Sequence, residues 1–88
     1  SSFVRYAALE LSGKQIRCNA ILPGRIETSL LQNQTMNDAK LQQDMSKYPL
    51  RRYGTPQEVA QSVIYLLSDA TKWVTGTSLT IDGGRSLI

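Results

Sequence analysis

The 88-residue sequence has no histidine and a single cysteine, Cys18. Without imidazoles or a second thiol, the common Zn ligand sets cannot be assembled, so no metal site is expected. One cysteine also excludes an intramolecular disulfide and fits a reducing cytoplasm. Long hydrophobic runs are missing too. Lys, Arg, Asp or Gln interrupts every stretch before the ~20 apolar residues of a membrane span are reached, so no membrane partner is expected. The opening Ser1-Ser2-Phe3-Val4-Arg5 has neither an initiator Met nor the apolar core of a signal peptide. It reads as the inside of a helix, which suggests that sequence is missing upstream. Nor is there a basic stripe. The net charge is +3, but the ten Lys and Arg residues are scattered and the tightest cluster is Arg51-Arg52. No nucleic-acid partner is expected from that pattern.

What is present is the composition of a globular chain, 41% hydrophobic and 19% charged. Its length allows one domain at most, burying only ~60–65% of the unfolded surface. Phe3, Val4, Ala7, Ala8 and Leu11 recur at helical spacing over residues 1–12, and Gly13 is placed to end that helix as a C′ glycine. The short apolar run Ile16 to Leu22, stopped by Pro23-Gly24, reads as a buried strand. Residues 29–50 are polar, with Leu30, Leu31, Met36, Leu41 and Met45 spaced for one or two short helices. Thr55-Pro56-Gln57-Glu58 is a clear helix start. Thr55 can cap, Pro56 suits the first position, and Glu58 can reach back to complete a capping box. Val59, Ala60, Val63, Ile64 and Leu67 then form one apolar face. After the polar turn Ser68 to Lys72, a second strand runs from Ser78 to Ile81 and stops at Asp82-Gly83-Gly84. The order helix, strand, helices, strand implies an α/β fold with parallel strands and a right-handed crossover.

In such folds ligands bind beyond the carboxyl ends of the strands. The residues there are Pro23-Gly24-Arg25-Ile26-Glu27-Thr28. Gly24, lacking Cβ, allows a sharp turn and close approach to a planar ligand. The Ile26 amide and the Thr28 hydroxyl can bracket a carboxamide. The same residues also suit a strand terminator followed by a helix cap.

Five blocks together resemble the short-chain dehydrogenase/reductase family. Ala8-Leu9-Glu10-Leu11 and Ile16-Arg17-Cys18-Asn19-Ala20-Ile21-Leu22-Pro23-Gly24 are similar to its ALEL and IRVNAIxPG patterns. Pro49-Leu50-Arg51-Arg52-Tyr53-Gly54-Thr55-Pro56-Gln57-Glu58-Val59-Ala60 is similar to PLGRxGTPEEVA. Leu66-Leu67-Ser68-Asp69 and Thr75-Gly76-Thr77-Ser78-Leu79-Thr80-Ile81-Asp82-Gly83-Gly84 resemble FLASD and ITGQxLxVDGG. The blocks keep the family's order and cover nearly the whole chain.

The resemblance implies the C-terminal portion, roughly the last third, of a Rossmann-type doubly wound parallel sheet, with residues 1–88 a fragment of one domain. It implies NAD or NADP as cofactor, with Pro23, Gly24, Ile26 and Thr28 holding the nicotinamide carboxamide. Residues 29–50 correspond to a lid over a small carbonyl or alcohol substrate, with Leu30, Leu31 and Met36 as candidate contacts. The closest flavour is the 3-oxoacyl-carrier-protein reductase or sugar/alcohol dehydrogenase type. Cys18 stands where the family usually has Val and is expected to pack as a small hydrophobe.

The family's glycine-rich phosphate turn, catalytic Ser and Tyr-x-x-x-Lys pair find no counterpart here. Four residues after Tyr6, Tyr48, Tyr53 and Tyr65 come Glu10, Arg52, Gln57 and Asp69. Pro49 separates the near miss, Tyr48 and Arg52. The expectation is an oxidoreductase fragment with no catalytic residue of its own. The alternative is a truncated protein that only binds or oligomerises with related subunits. A homo-oligomer, dimer or tetramer, is expected through residues 56–67 and 78–81, because so short a piece cannot cover both faces of a parallel sheet.

Overall fold

The computed structural model describes residues 1–27 and 38–88. Helix α1 (Ser2–Leu11) precedes strand β1 (Ala20–Pro23), helix α2 (Asp38–Met45), helix α3 (Pro56–Leu67) and strand β2 (Ser78–Ile81). β1 and β2 form a two-stranded sheet whose pairing advances in the same direction along both, so it is parallel. The chain divides into two compact units, residues 1–22 with 60–80 and residues 23–59 with 81–88, and each is described by itself.

In the first unit the buried side chains are Val4 and Ala8 of α1, Leu66 of α3, and Thr71. Phe3, expected on the inner face of α1, is exposed. The Ser1 hydroxyl accepts from the Val4 amide and caps α1. The helix does not end at a left-handed Gly13. A 3-10 turn, Ser12–Lys14, follows, and the left-handed residue is Gln15, at φ 61°. The face of α3 turned inward also differs from the expected one. Leu66 is buried and Ser62 is half-buried, whereas Ile64 and Leu67 are 64% and 76% exposed. The turn after α3 closes its carbonyls. The Thr71 hydroxyl lies 2.9 Å from the Leu66 carbonyl, to which the Arg17 guanidinium also donates at 3.0 Å. A cation at a helix C-terminus meets the negative end of the helix dipole. Trp73, in the loop that follows, is fully exposed.

The first strand begins later than its apolar run. Residues 17–19 are held largely by side-chain hydrogen bonds, because the pairing slips by one residue there. The Gly76 amide donates to the Cys18 carbonyl at 2.8 Å, and regular parallel pairing would then send the Ala20 amide to the Gly76 carbonyl. It donates instead to Thr77, at 2.9 Å. The extra residue is accommodated at Gly76, whose φ of 79° suits glycine. Side chains take up the displaced backbone groups. Asn19 donates to the Val74 carbonyl at 3.1 Å and accepts from the Thr77 amide at 3.0 Å. Arg17 also donates to Val74, at 3.1 Å, and the Cys18 amide donates to the Thr75 hydroxyl at 3.0 Å. Cys18 itself is half-buried rather than packed in a core.

In the second unit the start of α3 is built as its sequence implies. The Glu58 amide donates to the Thr55 hydroxyl at 3.2 Å, and the Thr55 amide donates to the Glu58 carboxylate at 2.9 Å. Arg52 grips the same carboxylate with two bonds of 2.7 Å. These bonds, Arg52 first and the Thr55 amide next, hold Glu58 down at about 2, from an ordinary 4.5. Tyr48 and Arg52 do not share a helical turn, since Arg51 between them is left-handed, at φ 64°.

Two outcomes follow from these contacts. Asn19→Ala leaves the Thr77 amide and the Val74 carbonyl without their Asn19 bonds and is expected to destabilise the chain by about 1–3 kcal/mol, measured by urea titration followed by circular dichroism. A change below the error of that titration would show water replacing the carboxamide at no cost. A depressed carboxylate contributes stability that is present above its unfolded value and lost as pH falls. The melting temperature should therefore drop between pH 4.5 and about 2 more steeply in the unsubstituted chain than in Glu58→Gln. Parallel curves would remove Glu58 from the account.

Candidate functional site

β1 ends at Pro23, and the Gly24 amide donates to the Ile81 carbonyl at 3.1 Å. Gly24 does not adopt a left-handed conformation. A Cβ on it would lie 2.8 Å from Cβ and 3.0 Å from Cα of Asp82. The close approach that glycine permits is thus made by the chain's own backbone, and internal packing alone accounts for this glycine. Asp82 is itself fixed, accepting from the Gly84 and Ser86 amides at 3.0 and 2.9 Å. Ser86 is the main reason its carboxyl is held below the usual range.

Two residues further on, Ile26 forms an isolated parallel bridge with Gly54. The Gly54 amide donates to the Arg25 carbonyl at 3.0 Å, and the Glu27 amide donates to the Gly54 carbonyl at 2.8 Å. The peptide groups flanking Ile26 are therefore committed to Gly54. By the alternation of parallel pairing, the N–H and C=O of Ile26 itself point to the opposite side. A backbone donor held this way beyond the end of a strand can meet a carbonyl oxygen without first being ordered. Thr28, Leu30, Leu31 and Met36 lie outside the described residues.

Beside this turn stands a cluster that sequence reasoning did not single out. Tyr53 is buried, and its hydroxyl donates to the Asp44 carboxylate near the end of α2. The Arg25 guanidinium sits over the Tyr53 ring, 5.3 Å from its centroid, and 3.9 Å from Asp44. Lys47 is 3.6 Å from the same carboxylate, and Tyr48 meets Tyr53 edge-on with centroids 5.7 Å apart. Burial, then the hydrogen bond to Asp44, pushes the Tyr53 phenol up to about 12, so it remains a donor at any ordinary pH. The bond from Tyr53 is the main influence holding Asp44 below the usual carboxylate range. The available signal was the pair Tyr48 and Tyr53, the only aromatics in the polar stretch before α3. Among the described residues no group of three or more Cys, Asp or Glu is placed to hold a metal, and no helix is long and apolar enough to cross a membrane.

Comparison with known proteins places this arrangement in a family. The family model for enoyl-(acyl carrier protein) reductase matches residues 1–86. A 3-oxoacyl-(acyl-carrier-protein) reductase of Thermotoga maritima is 43% identical over 77 residues, 88% of this chain and 30% of the relative. A short chain dehydrogenase family protein from Francisella tularensis superposes with a TM-score of 0.86 at 35% identity, over 99% of this chain and 40% of that one. A 4-hydroxyisoleucine dehydrogenase solved with NADH gives a TM-score of 0.88 at 32% identity, over 99% of this chain and 36% of that one. The chain spans about a third of the length of the curated relatives it matches. With a family model matched over residues 1–86 and the fold shared, the chain belongs to the short-chain dehydrogenase/reductase family.

Proposed function

We propose that these 88 residues form the C-terminal third of a Rossmann-type domain in an NAD- or NADP-dependent oxidoreductase that interconverts an alcohol and a carbonyl. What carries this reading is the amide of Ile26, turned away from Gly54 by the parallel bridge. Its neighbours are locked to Gly54, and it lies just beyond the carboxyl end of β1, where parallel α/β folds bind their ligands. A nicotinamide carboxamide supplies the carbonyl oxygen such a donor fits. In this reading Pro23 and Gly24 set the course of the turn, the Ile26 amide donates to the carboxamide, and Thr28 adds its hydroxyl. Leu30, Leu31 and Met36, in the segment 29–50, contact the substrate. The bound cofactor supplies or accepts the hydride. The residues of this chain hold and orient it, and the proton-transferring Tyr and Lys come from a preceding segment. The NADH-bound relative supports the cofactor class, and the reductase from Thermotoga maritima supports the reaction class. A cytoplasmic location is part of the same reading.

Assembly through α3 and β2 also belongs to this proposal. Its support is the exposed Ile64 and Leu67, with Val63 beside them, on one side of α3. A two-fold contact can use that one apolar face on both partners.

Two measurements test the reading. The 88 residues alone, mixed with NADH or NADPH and a panel of ketones, are expected to give no cofactor oxidation above a buffer blank. In a protein that also carries the catalytic segment, Thr28→Ala should lower kcat/KM about three- to tenfold, the size of one lost hydrogen bond of ~0.5–1.5 kcal/mol. Turnover by the 88 residues alone, or unchanged kinetics in Thr28→Ala, would contradict these assignments. For assembly, sedimentation velocity should show Val63→Glu shifting the protein to a smaller species. Identical profiles would leave α3 outside the contact.

A further inference from the structure

Among the described residues, Arg25 joins the proposed nicotinamide turn to the segment that includes α2. Arg25 sits in that turn, and its carbonyl is one of the two groups that fix Ile26 against Gly54. Its side chain is held from two directions, by the face of the buried Tyr53 ring and by Asp44 of α2. Tyr53 adjoins Gly54, so residues 53 and 54 hold residue 25 by side chain and by main chain together. An exposed Arg–Asp pair contributes little by itself. Here, however, the carboxylate is also bonded by the Tyr53 hydroxyl and approached by Lys47, which keeps it in place for Arg25.

We propose that Arg25 is a positioning residue for the Ile26 amide, and that Asp44, through Tyr53 and Arg25, makes cofactor binding depend on how α2 is docked. The inference rests on the reading of residues 23–28 as the nicotinamide turn and goes beyond it. It gives the substrate-side segment a route to the cofactor side. Loss of the Asp44 charge frees the guanidinium, loosens the turn at Arg25, and leaves the Ile26 amide less well aimed.

Charge alone predicts the opposite effect, which makes the test decisive. The cofactor is anionic, so a field effect would make Asp44→Asn bind NADH and NADPH more tightly. Positioning requires weaker binding. Isothermal titration of the intact protein with each cofactor should show Asp44→Asn and Arg25→Gln each raising Kd about three- to tenfold, with the double variant no worse than the weaker single one. Arg25→Lys should recover part of the loss, since it keeps the charge but not the flat stacking on Tyr53. Lys72→Gln, which removes a positive charge that pairs with Asp69 and not with this cluster, should leave Kd unchanged. If Asp44→Asn fails to fold, Tyr53→Phe keeps the ring under Arg25, removes only the bond to Asp44, and should weaken binding in the same direction. Cofactor binding by the unsubstituted protein that is unchanged or tighter in Asp44→Asn and Tyr53→Phe would overturn this inference alone. No binding of either cofactor by the unsubstituted protein would overturn the reading of the turn and the inference with it.

Discussion

The side-chain amide of Asn19 decides where the two strands stand relative to each other. A parallel pair of four-residue strands has few ladder bonds with which to define a register, and this one carries an additional residue at its start. The slip would leave the Val74 carbonyl and the Thr77 amide without ladder partners. Asn19 supplies a donor to one and an acceptor to the other from a single planar group. Only a carboxamide offers both functions at that spacing; an Asp would lack the donor. From Ala20 onward the pairing is regular, so Gly24 reaches the Ile81 carbonyl and lies against Asp82.

A second economy of construction is found in residues 52–55. Arg52 holds Glu58, Tyr53 holds Asp44 and carries Arg25 on its ring, Gly54 pairs with the backbone around Ile26, and Thr55 caps α3. Four consecutive residues thus make four different attachments. A Cβ at Gly54 would lie 3.0 Å from Cδ1 of Ile26, so the end of that side chain would have to shift. The helix start and the candidate ligand turn are two faces of the same short segment.

The elements legible in the sequence are those specified by local chemistry. The capping box at Thr55 and Glu58 and the strand from Ser78 to Ile81 occur at the residues where their patterns stand, because caps and turn-bounded apolar runs act over a few residues. The misreadings share a different cause. Ile16 to Cys18 are apolar or β-prone enough for a strand, yet the Ile16 amide bonds back to Leu11, the Arg17 side chain goes to Leu66 and Val74, and the Cys18 amide goes to the Thr75 hydroxyl, which no periodicity encodes. Gly13 was the better-suited residue for a left-handed helix end, but a 3-10 turn carried the chain on to Gln15. On α3 the apolar residues span more than one face, so the pattern could not say that Leu66 turns inward while Ile64 and Leu67 do not. The Arg25, Asp44 and Tyr53 cluster joins residues up to 28 positions apart, a distance over which sequence carries no directional signal. Of the candidate site, the end of the strand at Pro23 was legible, while the contacts among Arg25, Asp44 and Tyr53 beside it were not.

The full exposure of Trp73, the one tryptophan in the chain, has a practical side. An indole already surrounded by water in the native state has little left to gain in solvent contact when the chain unfolds. Its emission therefore begins close to the red limit and is a poor witness to denaturation. The same ring becomes a sensitive witness to anything that covers it. A blue shift would report contact with another chain or with a preceding segment, and the secondary structure could remain unaltered throughout.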